Sequence, residues 1–264
     1  MRWKTTEGST GRLLELCGAY FLFYVITGVA VKYFLGPAER GLPNVNSVEY
    51  LVYSTMGGSA ICIFVVLAFR WYRLESNYRI SIAGLRIPVE YLYIIPSGVC
   101  TAVVIPTTTL MYTLPISVMV AMVIMRGSVI VISRLIDAIL IRQGILHKRV
   151  YIEEEFGVVF AILAVSVHLF LGDKSGGRFD FIRSPAAMGI LLSYLLAYFI
   201  RLYIMNYYRN TRGKGVKQDN KGFFAIEQIA ASGTMLVVGA IVFSLSNTEV
   251  RQIVLYQEAL KAPT

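Results

Sequence analysis

Charge is scarce in this sequence. Asp, Glu, Lys and Arg together make up 16% of the residues, where a soluble domain carries about a quarter. Hydrophobic residues reach 56%, and mean hydropathy is +0.62. A soluble fold has to keep a polar skin toward water and cannot hide that much apolar surface. Lipid removes the difficulty by solvating apolar side chains directly. The histidines number two, His147 in a loop and His168 at the opposite side of the membrane. Neither shares a depth with a serine, HExxH is missing, and no acidic cluster has ligand spacing. No catalytic residue, metal or cofactor is therefore expected, and the chain does not read as an enzyme. The three cysteines, Cys17, Cys62 and Cys100, lie singly in apolar runs. They are expected to be buried, inert thiols.

Two further absences narrow the class. The apolar runs do not alternate, which excludes a membrane β-barrel. The first run, Leu13–Leu35, is too long for the h-region of a cleaved leader, and no A-x-A site follows it. It reads as a retained first helix behind Arg2, Lys4 and Arg12.

Seven runs are present that approach or reach the ~20 apolar residues a span needs: Leu13–Leu35, Ser47–Phe69, Val89–Met111, Ser117–Ile141, Glu155–Leu171, Pro185–Tyr208 and Gly222–Leu245. Without water, each backbone N–H and C=O has to be satisfied within its own run, so all seven are expected to be helices. The fold class is an all-α integral membrane protein of about seven transmembrane helices. The net charge of +9 does not point to nucleic acid, because the basic residues sit in short clusters between apolar runs. Fifteen of them lie in the N-terminus and in the second, fourth and sixth connections, against seven on the other side. That asymmetry places the N-terminus in the cytoplasm and the C-terminus outside, in a cell (inner) membrane. Pro96 and Pro106 are expected to kink the third span. The charge-free stretch Met111–Ser117, with Pro115, predicts that spans three and four pair as an antiparallel hairpin within a bundle of the first five. Gly57-Gly58-Ser59-Ala60 predicts a close helix contact. After Leu245 the chain turns polar, as a short amphipathic tail.

Ionisable residues inside a membrane are the best functional pointers, since each costs roughly 2.5–3.5 kcal/mol at a helix centre on insertion scales. Arg126 lies about 14 Å into the fourth span. Two readings fit: it meets an anionic solute or counter-charge in a cavity, or it is a structural cation that fixes packing. Arg134 and Asp137 are three apart and are expected to pair with each other. Met119, Met122, Arg126, Ser133 and Asp137 form one polar stripe. Glu227 stands near the start of the last span, where the helix dipole favours it; proton coupling is the other reading, and Glu15 in the first span is similar. Arg201 is expected to snorkel to the headgroups, and His168 to be interfacial. Tyr50, Tyr53, Tyr91, Tyr93, Tyr198, Tyr203, Tyr207 and Tyr208 fit an aromatic belt, although Tyr53 and Tyr198 lie deep enough to line a site. The candidate solute-binding residues are thus Arg126, Tyr53, Met122, Ser133 and Tyr198. Those for ion coupling are Asp137, Glu227 and Glu15.

The run MVIMRGSVIVISRLIDAIL (Met122–Leu140), the basic turn LHKR and FGVVFAILAVSVHLFLG (Phe156–Gly172) resemble the drug/metabolite transporter superfamily. RGSVIV, Arg126 to Val131, is similar to its nucleotide-sugar-transporter-like branch. GFFAIEQIAASGTML (Gly222–Leu236) is similar to the second helix of the second repeat. The resemblance implies ten helices in two inverted five-helix repeats and alternating-access transport of a small solute or metabolite. Residues 1–173 correspond to the first repeat, 174–246 to two helices of the second, and 247–264 to the polar tail. Helices eight to ten have no counterpart, which implies truncation, or a second copy or partner that supplies them, or a loss of transport. The lipid bilayer and the solute are the other expected partners. The competing class is a non-transporting seven-helix receptor or assembly protein. A retinal-type pigment is excluded, because Gly222–Leu245 contains no lysine for a Schiff base.

Overall fold

Six of the apolar runs become long helices in the computed structural model, which describes residues 9–74, 79–82, 85–148, 150–167, 184–211, 219–245 and 251–261. They are α1 (Thr10–Phe34), α2 (Ser47–Ala68), α3 (Tyr91–Thr113), α4 (Val118–Arg142), α6 (Pro185–Asn210) and α7 (Asn220–Ser244), with the shorter α5 (Ile152–Ser166) between α4 and α6. Short polar side chains start several of them by accepting from otherwise unpaired N–H groups of the first turn. Ser9 accepts from Arg12 N, Asn46 from Val48 N, Ser184 from Ala187 N and Asp219 from Gly222 N. Pro185 follows Ser184 at the first helical position, where its missing N–H costs nothing. α3 runs on through Pro96 and Pro106. The six long helices are each long and apolar enough to cross a membrane, and the chain is built as a multi-pass membrane protein.

Neighbouring helix ends fix the direction of each traverse. Ile94 at the start of α3 packs with Tyr208 at the end of α6 and Phe223 at the start of α7. At the other end of the bundle, Met111 and Tyr112 of α3 pack with Val118 and Ala121 of α4 and with Ala187 and Leu191 of α6. Tyr203, late in α6, donates to Gln143 just past the end of α4 at 3.1 Å. α4 and α6 are therefore parallel, and the chain between them has to return along the bundle. α5 makes that return antiparallel to α4: Glu155 meets Arg134, and Val165 lies against Gly127. The described part of α5 is 15 residues long; the expected end at Leu171, and His168, lie outside the described residues.

The helices do not group as the sequence led us to expect. α3 is the centre, packed chiefly on α6 and α7, and α4 packs on α5 and α6. α3 and α4 are joined by the short turn Leu114–Ser117 yet touch only slightly. α6 takes the place beside α3 that α4 was expected to fill, because α3 turns its buried Ser97, Gly98 and Thr101 toward α6 and α7. α1 buries only Val31, so the first five helices form no bundle of their own. Gly57 and Gly58 face open space; tight contacts between helices are instead at Gly98, Gly127 and Gly239. Cys17 and Cys62 are exposed and Cys100 is partly buried, since an apolar run can turn a thiol toward lipid as readily as toward a core.

A strand hairpin lies outside the expected pattern, and the polar tail expected after Leu245 contains a short helix. Between α2 and α3 an antiparallel hairpin pairs β1 (Arg79–Ile82) with β2 (Leu85–Pro88). The polar tail carries α8 (Arg251–Lys261), which folds back on α2 and α7. Gln257 Nε2 donates to the carbonyls of Phe243 and Leu245 at 3.0 and 2.9 Å, satisfying acceptors that the end of α7 leaves open.

Candidate functional site

The site begins with a glycine. A Cβ on Gly98 would stand 2.6 Å from Ala230 Cβ and 2.8 Å from the carbonyl oxygen of Glu227. Only a residue without a side chain lets α3 and α7 approach this closely. The approach brings the residue before it, and the one a turn beyond, onto Glu227. Ser97 Oγ donates to Glu227 Oε1 at 2.5 Å, and Thr101 Oγ1 donates to the same oxygen at 3.2 Å. From α6, Arg201 completes the set with a two-point fork, Nε to Oε1 at 2.8 Å and Nη2 to Oε2 at 3.0 Å. Glu227 is 2% exposed. A carboxylate so deep needs a geometrically matched partner and further donors, and this one has both.

The polar groups continue past this pair. Arg201 Cζ lies 5.8 Å from the ring centre of Tyr198, three residues earlier on the same helix. The Tyr198 hydroxyl accepts from Arg126 Nη1 at 3.3 Å. Arg126 also donates from Nε and Nη2 to the Tyr24 hydroxyl of α1. Its guanidinium carbon lies 4.7 Å from the Tyr24 ring centre and 5.7 Å from that of Tyr20, within range of cation–π attraction. Tyr112 donates to the Tyr24 hydroxyl at 3.4 Å, and the Tyr194 ring lies 4.8 Å from Tyr198. One string of polar contacts thus runs from Ser97 and Thr101 through Glu227, Arg201, Tyr198 and Arg126 to Tyr24. Helices α1, α3, α4, α6 and α7 all contribute. Arg126 is eight residues past Val118, about 12 Å into α4.

The two arginines differ in charge balance. Arg201 has a carboxylate on its fork. Arg126 is partly buried and, among the described residues, has hydroxyls and ring faces around it but no carboxylate partner.

A second network lies toward the far end of α4. Arg134 Nη2 meets Glu155 at 3.0 Å, Lys148 meets Glu154 at 2.8 Å, and Lys148 lies 3.8 Å from Asp137. The expected Arg134–Asp137 pair does not form. The acidic first turn of α5, Glu153–Glu155, draws Arg134 away, and Lys148 answers Asp137. The hydrogen bond from Lys148 to Glu154 holds the ammonium above its ordinary pKa, with the charges of Glu154 and Asp137 adding to it.

Of the five solute-binding candidates, Arg126 and Tyr198 come together. Met122 is one turn from Arg126 on the same face and packs toward Gly28 of α1. Ser133 is two turns further along, about 10 Å away. Tyr53 is not part of the string, because its hydroxyl donates to the Ala259 carbonyl of α8 at 2.8 Å. Among the ion-coupling candidates, Asp137 belongs to the α4–α5 network. Glu15 lies nine residues before Tyr24 on α1, about 14 Å along the axis. Glu227 is held by Arg201, Ser97 and Thr101, seven residues past the first residue of α7. Arg201 does not snorkel; its side chain is 18% exposed and points into the bundle. Tyr91, Tyr93, Tyr207 and Tyr208 pack on one another or on Ile94 and Phe223 at the helix ends.

Ser97, Thr101, Tyr20, Tyr24, Tyr112 and Tyr194 are absent from the sequence-derived list. A signal for some was present: Tyr20/Tyr24, Ser97/Thr101 and Tyr194/Tyr198 are each four residues apart, hence on one helix face. Among the described residues no group of three His, Cys, Asp or Glu side chains is placed to hold a metal. In comparison with known proteins, the chain matches no family model, no curated protein and no solved structure.

Proposed function

We propose that this protein is a multi-pass membrane transporter that carries a small solute by alternating access, with Arg126 and its tyrosines as the recognition point. One observation carries the reading. A guanidinium without a carboxylate partner among the described residues stands well inside the spans, where α1, α4 and α6 meet. A cation there costs free energy unless it finds a partner, and hydroxyls that can both accept and donate leave it able to exchange its partners for a solute. A site shared by several helices near mid-membrane is also what alternating access requires, since rocking helices then open it to either side in turn. The resemblance of Met122–Leu140, Phe156–Gly172 and Gly222–Leu236 to the drug/metabolite transporters supports the same class. On that reading residues 1–173 are one repeat and 174–246 part of an inverted second. The N-terminus faces the cytoplasm and the protein resides in a cell inner membrane, as the basic asymmetry favours.

The test is uptake by proteoliposomes holding the full chain, screened over charged and neutral small solutes. Uptake should depend on Arg126, and Arg126→Ala should abolish it at unchanged protein level. Arg126→Lys keeps the charge but not the planar fork, so a site that clamps a planar anion should lose most of its uptake in that variant too. Full uptake by Arg126→Ala would sink the reading. A non-transporting receptor or assembly protein is the second reading. It is favoured by the apolar, little-buried faces of α1 and α2, and uptake of any solute would defeat it.

A further inference from the structure

We infer that the solute Arg126 receives is an organic monoanion, a monocarboxylate with an apolar body in the simplest case. This rests on the transport reading above and narrows it. The string holds two cations, Arg126 and Arg201, and one anion, Glu227, so its formal charge is one positive unit. Arg201 and Glu227 cancel across two hydrogen bonds. Arg134, two turns along α4, is already answered by Glu155. Within this string, and among the described residues, Arg126 is left as the unbalanced charge. A monoanion brings the occupied site to neutrality. A neutral solute leaves one cation buried, and a dianion leaves one anion buried, each unfavourable where the dielectric is low.

The shape of the site agrees with the count. The guanidinium fork matches the two oxygens of a carboxylate. Tyr24 and Tyr198 hydroxyls, which now accept from Arg126, can rotate to donate to those oxygens. Around them lie the rings of Tyr20, Tyr112 and Tyr194 and the thioether of Met122. These surfaces suit an apolar body and, among the described residues, offer a second anionic group no unpaired cation.

The experiment is equilibrium binding to the purified full chain in lipid nanodiscs, near neutral pH, with three probes of similar size: benzoate, benzamide and isophthalate. Benzoate should bind at least about tenfold more tightly than either of the others. Arg126→Gln should remove that preference. Glu227→Gln adds one net positive charge and should move the preference toward isophthalate. Because that variant leaves Arg201 unpaired and can lose the fold, the charge-neutral double variant Arg201→Gln/Glu227→Gln is the companion, and it should keep benzoate first. The inference is overturned if benzamide or isophthalate equals benzoate in the wild type, if no benzoate binding is detectable, or if Arg126→Gln keeps the selectivity. Benzoate binding without uptake of any solute would sink the transport reading and leave the anion site standing. Arg126-dependent uptake of a neutral solute, with no benzoate binding, would do the reverse.

Discussion

Arg201 and Arg126 are joined through one tyrosine, and their surroundings have opposite characters. Arg201 is closed: its fork is filled by Glu227, which is itself capped by Ser97 and Thr101. Arg126 is open in charge: it meets Tyr24 and Tyr198 hydroxyls and two ring faces. The first arrangement ties α3, α6 and α7 together and has its charge answered. The second spans α1, α4 and α6 and, among the described residues, has no counter-charge. The lesson is that a charge inside a membrane is informative through its partner. A satisfied ion pair fixes structure, and on the transport reading proposed above an unsatisfied cation marks where a solute is received.

The largest effect expected from breaking this contrast is at the closed end. Glu227→Ala strands Arg201 and should cost about 3–5 kcal/mol, the range for halving a buried ion pair. Replacing both partners by Met should recover most of that loss. Thermal melts in detergent check it, and a double variant as unstable as the single would mean that packing, not charge, sets the cost. Next comes Gly98→Ala. Its Cβ would press on Ala230 and the Glu227 backbone, and forcing α3 from α7 should cost about 1–3 kcal/mol. An unchanged melting temperature would show that the close approach is dispensable.

Tyr198→Phe sharpens the contrast further, because it removes the hydroxyl that Arg126 uses and keeps the ring beside Arg201. The melt should fall by about 1 kcal/mol or less, while uptake falls much more. Equal loss in both would assign Tyr198 to the closed side. The smallest effect belongs to the α4–α5 network. Lys148 is held above its ordinary pKa in the folded protein. Its contribution to stability is therefore complete below its unfolded value and is lost only as the pH climbs through the raised folded one. The difference in melting between wild type and Lys148→Met should stay constant from about pH 7 to about pH 9. A difference that vanishes within that window would contradict the assignment.

Much of this fold is legible as hydropathy. The ends of the six long helices follow the apolar runs to within a few residues, because length and apolarity alone decide what can cross a bilayer. Helix partners are not legible in that way. Arg134 and Asp137 have the spacing of a pair, yet the carboxylates that hold Arg134 come from another helix, and local spacing carries no information about that. Arg201 was near enough to a helix end to reach water, and only the packing of α7 on α6 supplies Glu227. Gly98 reads as a weak point in a helix until α7 lies against it. Arg126 was legible as deep and central, because depth follows from counting residues. That its neighbours are tyrosines from α1 and α6 needed the tertiary structure.

The most direct test of the contrast is to measure melting temperature and solute uptake on the same preparations of Arg126→Gln and Arg201→Gln. Arg126→Gln should melt close to wild type and transport nothing, since it removes an unbalanced charge and the recognition point together. Arg201→Gln should lower the melt sharply, because it leaves the Glu227 carboxylate buried without its cation. If Arg126→Gln instead destabilises the protein as much as Arg201→Gln does, or transports at the wild-type rate, the distinction between an occupied and a receiving arginine is wrong.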